Sequence, residues 1–217
     1  MTGETRALET LTLEELDAQP MTQFAKWLAE AADSEMPEPT AMVLTTIASH
    51  PADRPHARTV LLKSHNDEGF TFYTNRTSRK GRDLAANSRA CVLFPWYGLG
   101  RQVIAEGVVI PLTMAESEPY FHSRPRGSQL GAWASRQSSV LPSRAPLEER
   151  YAELFERWPE GTEVPMPDFW GGYRLEPDQV EFWQSRPSRL HDRFRYRWVN
   201  GEEGEVGGGW KTQRLSP

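Results

Sequence analysis

Apolar residues recur at helical spacing near the start of the chain and in a few later tracts; elsewhere they come in short runs. Phe24, Trp27, Leu28 and Ala31 fall on one face of a helix predicted over 21–34, and Met36-Pro37-Glu38-Pro39 ends it. A series of strand signals follows, rich in β-branched and aromatic residues: Met42–Ile47, Val60–Lys63, Phe70–Tyr73, Ala90–Phe94 and Val103–Ile110. The pattern returns at Gly172–Leu175, Val180–Gln184, Phe194–Val199 and Trp210–Leu215. Short helices are predicted at Ser78–Asn87, capped by Ser78, and at Thr113–Phe121 and Leu147–Trp158. The tract Asn200–Gly209, with five glycines and three glutamates, reads as a long hairpin loop. Seven to nine short strands without strand-helix-strand alternation predict a mainly β (α+β) fold, a mostly antiparallel barrel with peripheral helices. Residues 1–19 are polar, with little to bury, and are expected to be mobile; 20–217 form one domain.

Composition narrows the function. A chain of 217 residues suits one domain, and a formal net charge of -5 gives no global field for nucleic acid or an anionic membrane. Anionic ligands must then be met by local clusters, at Arg76–Arg82, Arg124–Arg126 and Arg186–Arg197. Cys91 is the single cysteine, in an apolar run, so an inert buried thiol is expected and no intrachain disulfide can form. No apolar stretch nears the ~20 residues of a membrane span. The start of the chain lacks a basic, apolar leader, and a cytoplasmic protein is the default expectation. His50, His56, His65, His122 and His191 show no paired ligand spacing, so no metal is expected. Nucleophile-elbow and Walker motifs are absent.

Four segments carry candidate chemistry. Arg58 to Lys63, read as one strand, sets two cations ~16 Å apart, able to hold two anions or simply to solvate the ends of a core strand. Tyr73-Thr74-Asn75 precedes Ser78-Arg79-Lys80, where basic residues at a helix start oppose the helix dipole unless an anion sits there; a capped surface helix is the plainer alternative. Tyr120, Arg124 and Ser128 flank Pro125, which ends one helix and starts another, so they either converge on an anion or form a surface turn. Arg189, His191 and Arg193 share one face if their segment is extended, with Trp183 nearby as a ring platform or core residue.

Together these segments resemble the pyridoxine/pyridoxamine 5′-phosphate oxidase family, from about Phe24 to Pro217. Supporting stretches include Leu93-Phe94-Pro95-Trp96, Arg101-Gln102-Val103, Gly131-Ala132-Trp133, Gln137-Ser138-Ser139, Phe169-Trp170-Gly171-Gly172 and Arg214-Leu215. The resemblance implies a split β-barrel homodimer with flavin mononucleotide (FMN) between the subunits. It implies oxidation of pyridoxine or pyridoxamine 5′-phosphate to pyridoxal 5′-phosphate, with O2 as acceptor and H2O2 released. FMN contacts are implied at Arg58, Thr59, Val60, Leu61, Leu62, Lys63, Tyr73, Thr74, Arg79, Lys80, Gln102, Gln137, Ser138, Trp183 and Arg193. Substrate phosphate falls to Lys63, Tyr120, Arg124 and Ser128, and the pyridine ring to Arg189 and His191, which also carry the catalytic assignment. The rivals are a same-fold flavin enzyme acting on another substrate, such as a phenazine precursor, and a non-catalytic FMN or pyridoxal-phosphate carrier. Two departures stand out: residues 1–20 lack the Arg-x-x-Tyr segment many members carry, and Asn200–Gly209 lengthens a usually shorter loop.

Overall fold

The computed structural model describes residues 10–49, 52–200 and 208–217. Helix α1 (Pro20–Asp33) opens on a proline, whose missing N–H is no loss in a first turn. Strands β1 (Ala41–Ser49), β2 (Ala52–Leu61), β3 (Ser64–Asn66) and β4 (Gly69–Asn75) follow, then α2 (Arg79–Ala86), β5 (Arg89–Trp96) and β6 (Arg101–Pro111). Three helices, α3 (Met114–Ser123), α4 (Arg126–Ala134) and α5 (Ala145–Arg157), lead into β7 (Trp170–Gln184), β8 (Asp192–Val199) and β9 (Gly209–Arg214). The sheet runs β2-β1-β5-β6-β7-β4-β3, with β8 added on β7 and β9 on β8. Each of these pairings is antiparallel. The β2–β3 connection ties the ends of this order together: Leu62 N–H donates to Thr40 O and Lys63 N–H to Thr71 O, each at 2.9 Å. The mostly antiparallel barrel with peripheral helices is thus as the strand signals imply.

The core follows from alternation. In β5, Ala90, Val92, Phe94 and Trp96 point inward while their neighbours are less buried. The apolar stripe of α1 plugs the barrel, with the ring of Phe24 at 4.8 Å from those of both Phe70 and Phe94. Burial of this order, at about 25 cal/mol per Å² of apolar surface, is what fixes α1 rather than its capping, since Gln19 makes no side-chain cap. A second cluster, Phe121, Leu130, Val164 and Trp170, lies under α3 and α4. Cys91 is half-buried, and burial together with the charge of Glu106 pushes its thiol up to about 11, which agrees with the inert reading.

Three expectations change. Gly172–Leu175 and Val180–Gln184 are not separate strands but the two halves of β7. Pro177 interrupts the sequence signal, and the strand absorbs it in a bulge: Gln179 faces Glu106 and Pro177 faces Gly107, leaving Asp178 extra. Gly107 is required there, because a Cβ would lie 2.0 Å from Glu176 O. Secondly, Arg58–Lys63 is not one strand, since β2 ends at Leu61. Thirdly, of the segment 1–19 that was expected to be mobile, 1–9 lie outside the described residues, while 10–19 contact the barrel: Leu11 is buried, its N–H donates to Asp192 Oδ2 at 3.2 Å, and the Tyr196 hydroxyl donates to Asp17 O at 2.6 Å. Of the glycine-rich tract, 201–207 lie outside the described residues, and Val199 pairs with Gly209 at its two ends.

Candidate functional site

Two adjoining clefts bring most of the sequence-predicted residues together. The first, about 470 Å³, lies at the start of α2 and is lined by Pro55, His56, Ala57, Arg58, Arg79, Lys80 and Ser138. Ser78 caps the helix, its Oγ accepting from Gly81 N–H at 3.3 Å. The next N–H, that of Arg79, donates to Ser138 Oγ at 3.1 Å, and Ser138 holds a left-handed backbone (φ 71°) that few non-glycine residues adopt. Arg58 is fixed from β2 by donating to Thr46 Oγ1 (2.7 Å) and Leu44 O (3.2 Å), with Asp83 Oδ2 at 3.7 Å. Asp83 also takes a hydrogen bond from Thr46 Oγ1 at 2.7 Å and lies 3.0 Å from His56 Nδ1. Burial alone would raise the Asp83 pKa, but the hydrogen bonds from His56 and Thr46 and the nearby cations hold it below the usual carboxylate range.

Lys80 belongs to both clefts. Its ammonium is buried and donates to Gln137 Oε1 at 3.0 Å and Thr74 Oγ1 at 3.3 Å. Among the described residues no carboxylate pairs with it, and burial, then the charge of Arg58, push its pKa down.

The second cleft, about 530 Å³, is walled by Thr59, Val60 and Leu61 of β2, by Lys63, Tyr73 and Thr74, and by Tyr120, Arg124, Ser128 and Gln137 from the helical side. Pro125 breaks the chain between α3 and α4 as its sequence implies, so Arg124 and Ser128 meet: Arg124 Nη2 donates to Ser128 O at 2.8 Å. The Arg124 guanidinium lies 4.8 Å from the Trp170 ring centroid, while its Nη1 is buried with no hydrogen-bond partner. Burial lowers its pKa. Tyr73, Tyr120 and Trp170 stack beside it, with Tyr73 and Tyr120 centroids 4.1 Å apart, and Lys63 Nζ stands 5.9 Å from the Tyr120 ring. Leu62 is buried and lines neither cleft.

Gln102, Trp183, Arg189, His191 and Arg193 line neither cleft. Gln102, Trp183 and Arg193 instead form one cross-strand row over β6, β7 and β8. Arg193 is held by both carboxylate oxygens of Glu181, at 2.7 and 3.1 Å. The extended reading of Arg189–Arg193 fails: Pro187–Arg189 is a short 3-10 turn, Ser188 and Arg189 have positive φ (57° and 62°), and β8 begins at Asp192. Pro187 starts that turn, so Arg189 and His191 do not share a strand face. His191 packs its ring 4.5 Å from that of Trp183, and its Nδ1 accepts from Arg186 N–H at 3.1 Å.

Sequence reasoning gave no role to His56, Asp83, Thr46 or Trp170. Trp170 sat in a quoted motif, Phe169–Gly172, and could have been placed by it. His56 and Asp83 meet only through the pairing of β2 and α2 with β1, which no local pattern encodes.

The comparisons with known proteins converge. Residues 28–158 match the family described as pyridoxamine 5′-phosphate oxidase, and 170–217 match the pyridoxine 5′-phosphate oxidase C-terminal dimerisation region. A pyridoxine/pyridoxamine 5′-phosphate oxidase of Thermobifida fusca is 52% identical over 93% of this chain and 90% of its own length. One from Ralstonia pickettii is 50% identical over 97% and 95%. Among solved structures, PhzG of Burkholderia lata, in complex with tetrahydrophenazine-1-carboxylic acid, matches with TM-score 0.85 and 33% identity over 97% of this chain and all of that one. The same split-barrel fold, the ordered motifs and these matches place the chain in the pyridoxine/pyridoxamine 5′-phosphate oxidase family.

Proposed function

We propose that the protein oxidises pyridoxine 5′-phosphate or pyridoxamine 5′-phosphate to pyridoxal 5′-phosphate with FMN as cofactor. One observation carries this reading: two partly or fully buried cations, Lys80 and Arg124, have no carboxylate partner among the described residues and face adjoining clefts. Uncompensated buried charge is costly, and two phosphate-bearing ligands would complete both sites. FMN held there would supply a hydride acceptor for substrate C4′, with O2 as final acceptor leaving H2O2; the alcohol gives up its hydroxyl proton, and the amine route also takes up water and releases ammonia.

The chain's own share is binding and orientation. Arg58, Arg79, Lys80 and Ser138 suit the cofactor phosphate, with Thr59, Val60, Leu61, Lys63, Tyr73, Thr74 and Gln137 along its length. Arg124, Lys63, Tyr120 and Ser128 suit the substrate phosphate. Gln102, Trp183, Arg189, His191 and Arg193 lie away from both clefts within one chain, so we assign them to the clefts of a second copy across a homodimer interface, in keeping with the dimerisation region they mostly occupy. There Arg189 and His191 would flank the pyridine ring. Because His191 Nδ1 accepts from the Arg186 amide, a neutral imidazole carries its hydrogen on Nε2 and presents a donor to the ligand.

The likeness to PhzG favours a second reading, oxidation of a phenazine precursor. Tetrahydrophenazine-1-carboxylic acid bears a carboxylate and no phosphate, which leaves the Arg124–Lys63 pair without its natural ligand. Anaerobic addition of pyridoxine 5′-phosphate to the purified yellow protein separates the readings. Bleaching of the flavin band is expected; a band that persists with this substrate but bleaches with a dihydrophenazine acid overturns the proposal, and a protein that takes up no flavin overturns both.

A further inference from the structure

The first cleft contains a side chain that the family resemblance does not explain. His56 lines it beside Arg58, Arg79 and Lys80. Its Nδ1 is turned away onto Asp83 Oδ2, at 3.0 Å, and its side chain keeps 20% of its exposure. The Asp83 carboxylate is itself 8% exposed, and Thr46 and Arg58 approach the same Oδ2. A carboxylate so close to an anion site would repel the anion unless cations stand between them. Arg58 is such a cation, and His56 lies on the same carboxylate oxygen.

We infer that His56 is a further ligand of the phosphate in this cleft, held by Asp83, so that Asp83 acts as a positioning residue for both His56 and Arg58. This rests on the FMN reading above. With Nδ1–H committed to Asp83, the other ring nitrogen, Nε2, is the atom left to meet a ligand. Nε2 and a phosphate oxygen can then share one proton as donor and acceptor. The groups facing His56 are Asp83, Arg79 and Lys80 from α2 and Arg58 from its own strand, so the cleft sets three cationic side chains beside it against one carboxylate. His56 thereby stands between the Asp83 carboxylate and the phosphate.

The test compares FMN with riboflavin, which shares the ring system and lacks the phosphate, by fluorescence titration of the flavin-free full-length protein. His56→Asn keeps a donor near the position of Nδ1 and loses the reach of Nε2; His56→Gln keeps the reach. His56→Asn is expected to weaken FMN about tenfold or more while riboflavin stays within about twofold, and His56→Gln to recover part of the loss. Equal loss for both flavins would assign His56 a merely structural role, and unchanged FMN affinity in His56→Asn would remove it from the site; either overturns the inference while the FMN reading stands. A wild-type protein that binds the two flavins equally defeats that reading itself, and the inference with it.

Discussion

Arg58 and Arg124 are both guanidinium groups drawn partly out of water, and burial depresses the pKa of each. Their surroundings differ in kind. Arg58 has Asp83 within 3.7 Å, a hydroxyl and a carbonyl to donate to, and sits in a cleft whose donors are cross-linked from β1, β2 and α2. Arg124 has one carbonyl and two aromatic faces, with Nη1 unsatisfied. The first is a finished scaffold that keeps its shape when empty. The second is finished only by an anion. The contrast fits a cofactor that stays and a substrate that must enter and leave.

Replacing each arginine should expose this. Arg58→Ala strands the buried Asp83 and removes a phosphate donor. FMN affinity is expected to drop about 100-fold, and the flavin-free protein to lose about 2 kcal/mol, roughly 4–8 °C in Tm for a chain of this size. Arg124→Ala removes a charge with no ion-pair partner among the described residues. Substrate affinity should weaken 10- to 100-fold, with FMN affinity within about twofold and flavin-free stability within about 0.5 kcal/mol of wild type. Calorimetry of the two flavin-free variants decides the matter: equal destabilisation would erase the distinction, and loss of flavin in Arg124→Ala would exchange the two clefts.

A smaller effect is expected at the turn before β8. His191→Ala and Arg189→Ala should each slow substrate oxidation about tenfold at saturating substrate, since orientation as well as affinity is lost. Rapid-mixing absorbance at wild-type rates in both variants would dismiss the orienting role.

The smallest effect concerns acid. The Asp83 carboxyl is held below its ordinary value in the folded protein. Its ionised form therefore stabilises the fold above about pH 4, and that contribution fades as pH falls through the depressed folded value. Asp83→Asn should be the less stable protein at pH 7, with the gap narrowing below about pH 4. A gap that holds constant down to about pH 2.5 would show that Asp83 gains nothing from ionisation.

These predictions reach residues of uneven visibility. Ser78, Arg79 and Lys80 could be placed at a helix start because capping is local chemistry, and the Thr113 capping box and Pro125 break are legible for the same reason. The alternation in β5 gave its strand directly. The turn at Pro187–Arg189 escaped because left-handed backbone at Ser188 and Arg189 contradicts the ordinary preference of those residues and is imposed by the chain around them. Leu11 looked like one apolar residue in a polar leader, and only Asp192 and Arg214, far along the sequence, give its backbone partners. The separation of Gln102 and Trp183 from the clefts was equally invisible, because it is set by the long-range pairing of β6 with β7.

The bulge at Asp178 has a geometric consequence for the two halves of β7. Side chains on a strand alternate, so one extra residue acts as a phase shift between what lies before it and what lies after. Before it, the strand pairs with β4 and delivers Trp170 to the Arg124 cleft; after it, the strand pairs with β8 and delivers Trp183 to the row with Gln102 and Arg193. Asp178 is anchored on the outside by an ion pair with Arg89. Trp170 and Trp183 are an odd number of residues apart and would fall on opposite faces of a regular strand; the extra residue sets both on the face opposite the core side chains Leu175 and Val180. The shared face of the two tryptophans is thus set by one acidic residue on the surface.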